Sequence, residues 1–285
     1  MMALRRLMLA AGSGAAIEYL DQLAVAPLCV WSIRKLVSSA TTAIRVRRSS
    51  DNAEQDIGFT AKNLDAAALL TFAGSGDAFV SKFYDQTGNG HDMLQATAAA
   101  QPKIVSAGVA NAMIEFDGVN DAFGTAGSVP TDTPWVGIYG RMRLQSVGIG
   151  IVIESSANYN SFDGSFSQYT WPSDSPGMHA AYNQLDNRAA FPITTGTEAA
   201  FSLLYDKSIP KPTSADIRCW QGGGEVPQVR RVNRDINVPT FLAHRIYLGA
   251  RAGTSTFALL GLRSVALYKA DTSAIRSQIE ALVNG

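Results

Sequence analysis

The sequence predicts an all-β protein, a jelly-roll sandwich of two antiparallel sheets with a short N-terminal arm and a short C-terminal helix. Three observations predict it. From Pro134 onward, Gly, Pro, Asn and Asp recur about every ten residues between short apolar runs, the spacing of many short strands. Several runs alternate apolar and polar residues, as Ile114-Glu115-Phe116-Asp117 does. No βαβ alternation breaks the series, and a chain of 285 residues fits one large sandwich.

Composition narrows the function. Charged residues are 17% of the chain and the formal net charge is zero, which argues against a nucleic-acid partner. No apolar run reaches the roughly 18 residues of a membrane span, so no membrane insertion is expected. Met1–Ala11 carries Arg5 and Arg6 before an apolar run, but Gly12-Ser13-Gly14, Glu18 and Asp21 interrupt it and make a poor signal peptide. The two cysteines, Cys29 and Cys219, match no metal spacing and read as buried free thiols.

In order, residues 1–26 read as an anchoring arm, and 27–285 as the sandwich. Within the arm, Ile17, Leu20 and Leu23-Ala24 suggest a short helix over Ala15–Ala26 that Pro27 ends. An arm lying in another chain's cleft would favour assembly; one folded back on its own sandwich leaves an enzyme reading open. Trp31–Ser39 suggests a helical turn, then Ala43–Asp51 a strand. Arg45, Arg47 and Arg48 on that strand suit either an anionic ligand or a solvated face with local ion pairs, the plainer reading. Asn63 is the expected N-cap of a short helix that Gly74-Ser75-Gly76 stops.

The stretch around which the chain is organised runs from Phe83 to Asp121. It opens Phe83-Tyr84-Asp85-Gln86-Thr87-Gly88-Asn89-Gly90-His91-Asp92, a strand, a tight polar turn and a return. Asp85, Asn89 and Asp92 are oxygen-rich enough for a calcium loop, but no bidentate Glu follows, so a turn is expected and no metal or cofactor. It closes on Phe116-Asp117-Gly118-Val119-Asn120-Asp121. Expected strands downstream are Trp135–Leu144, Gly148–Glu154, Ser165–Tyr169, His179–Asn183, Ala199–Tyr205, Asp216–Gln221, Arg245–Ala250 and Leu259–Tyr268, then a helix over Thr272–Val283. Gly222-Gly223-Gly224 after Trp220-Gln221 reads as a hairpin, and His91, His179 and His244 as scattered residues without ligand spacing.

Trp31–Leu36, Ile44–Asp51, Phe83–Gly90, Gln101-Pro102-Lys103-Ile104-Val105 and Phe116–Asp121, with the closing Tyr247-Leu248-Gly249-Ala250, Phe257–Tyr268 and the final helix, resemble the catalytic domain of the α-L-arabinofuranosidase B family. They are more similar still to lectin-like domains of that type in bacteriophage tail and other virion proteins. The resemblance covers roughly residues 28–285 and implies a concanavalin A-like lectin/glucanase sandwich. In the family a retaining mechanism needs two carboxyl groups about 5 Å apart. The acid/base aspartate follows the Leu-Gly step, a position that falls on Gly253 here. The nucleophile is a glutamate after a Cys-Cys pair; Glu154 is the nearest match, and the pair is absent. The expectation is therefore a chain without enzymatic activity, with Glu154 an ordinary strand-end carboxylate on the plainer reading and a catalytic relic on the other.

The resemblance implies a virion location. Residues 1–26 would join other virion proteins, the chain would form a homo-oligomer, and the domain would bind a bacterial surface glycan or serve assembly alone. Sugar stacks on aromatic rings, and the candidate rings are Trp171, Tyr169, Tyr159, Trp135 and Trp220. The alternative is a glycoside hydrolase acting on an arabinose-containing polysaccharide.

Overall fold

The computed structural model describes residues 17–145, 148–156, 158, 162–172, 177–182, 187–209, 216–233 and 238–285. The N-terminal half holds β1 (Cys29–Ser32), β2 (Thr42–Arg48), β3 (Glu54–Thr60), β4 (Asn63–Leu64), α1 (Ala66–Ala73), β5 (Ala78–Phe83), β6 (Met93–Leu94), β7 (Lys103–Ser106), β8 (Val109–Asp117) and β9 (Phe123–Thr125). Next come β10 (Trp135–Leu144), β11 (Gly150–Ser155), β12 (Phe166–Trp171), β13 (Gly177–Tyr182), β14 (Asn187–Phe191) and β15 (Ala199–Asp206). The chain closes with β16 (Ile217–Gln221), β17 (Gly224–Val226), β18 (Arg230–Asn233), β19 (Ile246–Leu248), β20 (Leu259–Tyr268) and α2 (Arg276–Asn284).

The pairings are antiparallel and form two sheets. In the first, β17, β16, β15, β10 and β20 are neighbours. The far edge of β20 is shared, with β1 along residues 264–267 and β8 along 259–262. From β8 the ladder turns through β7, β5 and β2 to β3. The second sheet leaves β5 through β6 and β9, then runs β19, β11, β12, β13, β14, β18. The result is the expected sandwich with its C-terminal helix.

Alternation decides what lies between the sheets. Ile153, Phe166 and Tyr182 point inward from the second sheet and meet Tyr205 from the first. Phe241 fills the space among those rings, edge-on to Phe166 and Tyr182. A second apolar cluster lies beneath α2, where Ile279 and Val283 cover Tyr139 and Tyr268 of the first sheet. Cys29 and Cys219 are buried and free, as the sequence predicts.

The organising stretch works as a latch. The Asp85 carboxylate accepts from the backbone N–H of Val30, Thr87 and His91. Buried Gln86 accepts from Leu36 N and Val37 N and donates to Ser32 O and Arg34 O. Asp92 pairs with Lys82 at 2.7 Å and accepts from Asp85 N. The carboxylates face backbone donors, as a turn requires, and among the described residues no group of three or more His, Cys, Asp and Glu is placed to hold a metal.

Three local expectations change. Residues 1–16 of the expected arm lie outside the described residues. The rest, 17–26, folds back on its own domain, with Leu20 fully buried in the cluster under α2. There the expected helix shrinks to one 3-10 turn, Leu20–Gln22, because Gln22 accepts from Glu18 N and Tyr19 N while Asp21 bonds Ser38. Trp31 sits in strand β1 rather than a helical turn: its run is buried throughout and edge-pairs with β20. The cap of α1 is Asp65, accepting from Ala68 N at 2.9 Å, and Asn63 pairs in β4. On β2, Arg45 pairs with Asp56 and Arg48 with Asp51, the solvated-face arrangement. No described helix is long and apolar enough to cross a membrane.

Candidate functional site

The candidate site is the outer face of the second sheet. Strand periodicity puts alternate residues on opposite faces, so the inward turn of Ile153 and Phe166 sends Glu154, Ser167, Tyr169 and Trp171 outward. Register gathers them. Glu154 lies opposite Ser167 on β12 and opposite Tyr247 on β19. Tyr169 lies opposite Ile151 on one side and His179 on the other. A β-bulge between Ile151 and Ile153 re-aims β11 immediately before Glu154.

This outward face is closed to solvent. Glu154 and Ser167 are fully buried, and Tyr169 and His179 nearly so. Tyr169 stacks at a tilt on the His179 ring, centroids 5.2 Å apart, and meets Trp171 edge-on at 6.5 Å. The Arg245 guanidinium sits 5.5 Å from the centre of the Tyr247 ring, anchored by donation to Thr125 O. Ser167 Oγ has no hydrogen-bond partner among the described residues, and leaving such a hydroxyl buried is costly. Ser156, two residues past Glu154, has φ 146°, a backbone region that favours glycine. Strain of that kind collects at functional sites.

The loop 251–255 lies against the same face. Arg251 and Ser255 close it through their backbones, and a Cβ added at Gly253 would meet Tyr247 Cδ1 at 3.6 Å, an ordinary contact. Gly253 therefore lies beside Tyr247, whose partner in register is Glu154, and it carries no carboxyl group.

Of the five predicted ligand rings, the structure places Tyr169 and Trp171 on the face that carries Glu154, two and four residues along β12 from Ser167, its partner in register. Tyr159 lies outside the described residues. Trp135 and Trp220 belong to the first sheet. Trp135 begins β10 and lines a cavity of about 160 Å³ with Asp206, Arg218 and Thr272. Trp220 is buried between the guanidinium groups of Arg218 and Arg276, each 4.6 Å from its ring centre, and serves packing under α2. The sequence reading missed Ser167, His179 and Tyr247. Period-two spacing in Phe166–Trp171 could have found Ser167; the other two join only through cross-strand register.

No family model and no curated protein sequence matches the chain. Solved structures do match by shape. One is an arabinofuranosidase complexed with arabinofuranosyl-α-1,2-xylobiose, at 14% identity and TM-score 0.67, covering 90% of this chain and 62% of that one. Another is a GH54 α-L-arabinofuranosidase soaked with a cyclic sulfate inhibitor, at 14% identity and TM-score 0.64, covering 90% of this chain and 63% of that one. The chain thus spans under two thirds of the length of either. The expectation of no enzymatic activity is overturned here: two solved arabinofuranosidases match the chain over nine tenths of its length, at 14% identity. That expectation rested on Gly253, and a missing proton donor slows only those leaving groups that need a proton. By fold, the chain is a lectin/glucanase-type β-sandwich of the kind these arabinofuranosidases carry.

Proposed function

We propose that the chain is a carbohydrate-active domain whose sugar site is the outer face around Glu154, with Glu154 the nucleophile toward an arabinofuranosyl residue. The observation that carries this reading is the placement of Glu154, buried near the end of β11 and in register with Ser167 on one side and Tyr247 on the other. The Glu154 carboxylate would form a bond to the anomeric carbon while the bond to the leaving oxygen breaks, and water would then release the sugar. With no carboxyl at Gly253, an aryloxide departs unaided, whereas a sugar alkoxide needs a proton from elsewhere. Because Glu154 is closed to solvent, the covering residues must part first, so slow turnover is expected.

The test is release of 4-nitrophenol from 4-nitrophenyl α-L-arabinofuranoside. Slow release by the wild type, and its loss in Glu154→Gln by at least about 100-fold, supports the reading. Gly253→Asp places a carboxyl where there is room and is expected to raise release from arabinan, at a backbone cost of about 1 kcal/mol for φ +71°. An unchanged rate in Glu154→Gln, or neither release nor arabinose binding by the wild type, overturns it. The setting we propose is a bacteriophage virion, with residues 1–26 contacting other virion proteins, a homo-oligomer, and a bacterial surface glycan as the source of the sugar. The resemblance supports that setting, and detection of the chain in purified particles, with light scattering for the oligomer, tests it.

A further inference from the structure

A second cleft, of about 640 Å³, opens on strands that do not pair with β11. Four of its lining residues, Arg47, Phe79, Lys103 and Glu115, belong to one row in direct register that runs across six strands. Arg47 of β2 opposes Phe79 of β5, which opposes Lys103 of β7, which opposes Glu115 of β8. Glu115 opposes Gly261 of β20, which opposes Arg143 of β10. Five strand spacings make the row about 24 Å long. Gly261 has no room for a side chain, since a Cβ there would lie 2.9 Å from Met113 Sδ and 3.1 Å from Glu115 Oε2, which fill that space.

Each charge in the row is held. Arg47 donates to Gln101, Asn52 and the Ala98 carbonyl, and its guanidinium lies 4.9 Å from the Phe79 ring centre. Lys103 pairs with Asp77 at 2.7 Å, and Arg143 with Glu115 at 2.6 Å. Gln145 donates to the second oxygen of Glu115. Asp121 borders the cleft and accepts from Asp117 N. Leu259, 37% exposed, adds an apolar wall.

We propose that this cleft is a second glycan-binding groove that takes a neutral polysaccharide chain lying across the strands. The cations Arg47, Lys103 and Arg143 are set against the carboxylates Asp77, Glu115, Asp117 and Asp121, so a charged ligand would meet as much repulsion as attraction. Sugar hydroxyls donate and accept at once, which suits fixed donors and acceptors placed side by side, while Leu259, Ala98 and Ala99 take the ring's apolar face. The pinned side chains lose little freedom on binding. The groove is independent of the reading of Glu154.

Native electrophoresis through gels containing arabinan, xylan or dextran, against polygalacturonate as the charged control, tests the groove. At least one neutral polymer is expected to retard the wild type, and polygalacturonate is not. The double variant Gln145→Ala/Leu259→Ala changes two exposed residues and is expected to weaken retardation about tenfold, with an unchanged melting temperature. Val229→Ala, an exposed position outside the cleft, is expected to keep it. Retardation of the cleft variant equal to wild type, retardation by polygalacturonate alone, or none by any polymer overturns the groove. Failure of the Glu154 reading shows separately, as absent 4-nitrophenol release with this retardation intact.

Discussion

Gln86 and Asp121 show what single residues carry in this sandwich. Gln86 satisfies two backbone N–H groups and two carbonyls between Ser32 and Val37. Gln86→Leu leaves them buried without partners, and a loss of about 3–5 kcal/mol in urea unfolding is expected. Asp121 is governed by burial, which pushes its carboxyl up from 3.8 to about 6, with the charge of Asp117 adding to the rise. The folded state therefore favours the protonated form. Its contribution to stability is full below 3.8 and is lost as pH rises through about 6. Unfolding titrations should show that fall in the wild type and a flatter profile in Asp121→Asn, which keeps an oxygen to accept from Asp117 N. The sequence marks the stretch from Phe83 to Asp92 as a polar turn, and it is one. Its bonds to Val30–Val37 cross some fifty residues, a separation that leaves no local pattern to read.

At the scale of elements, periodicity serves best where one face is wet. β10 and β20 have the bounds the sequence predicts, and β11, β12, β13, β15 and β16 lie within two residues of theirs. β1 misleads because both its faces are buried, so its run shows no alternation. β14 and β18 owe their pairing to each other and to β13 more than to any pattern of their own. The candidate site was legible in the same uneven way. Glu154, Tyr169 and Trp171 were each visible by type, but their sharing one face depends on the β11–β12 register and its bulge. The closing helix α2 is legible from Ile275, Ile279 and Leu282 at helical spacing, although it begins at Arg276, after a 3-10 turn over Ser273–Ile275. Ile279→Ala should cost about 2–4 kcal/mol in thermal or urea unfolding, as its side chain fills the cluster against Tyr139 and Leu20.

For the whole molecule, the two thiols report on opening. Burial pushes both Cys29 and Cys219 well above the ordinary thiol value, and only thiolate reacts readily. A thiol-specific reagent should label neither in the native state and both in denaturant, so the native labelling rate measures how often the sandwich opens. The pairing of β1 with β20 has a further consequence for synthesis. Residues 29–32 leave the ribosome early, yet their partners, residues 264–267, emerge near the end of the described chain. At ~5–20 residues per second that wait is on the order of 10–50 s. Throughout it the nascent chain carries an apolar ribbon, Cys29-Val30-Trp31, whose mate has not been made, and any second nascent copy on the same message offers one prematurely.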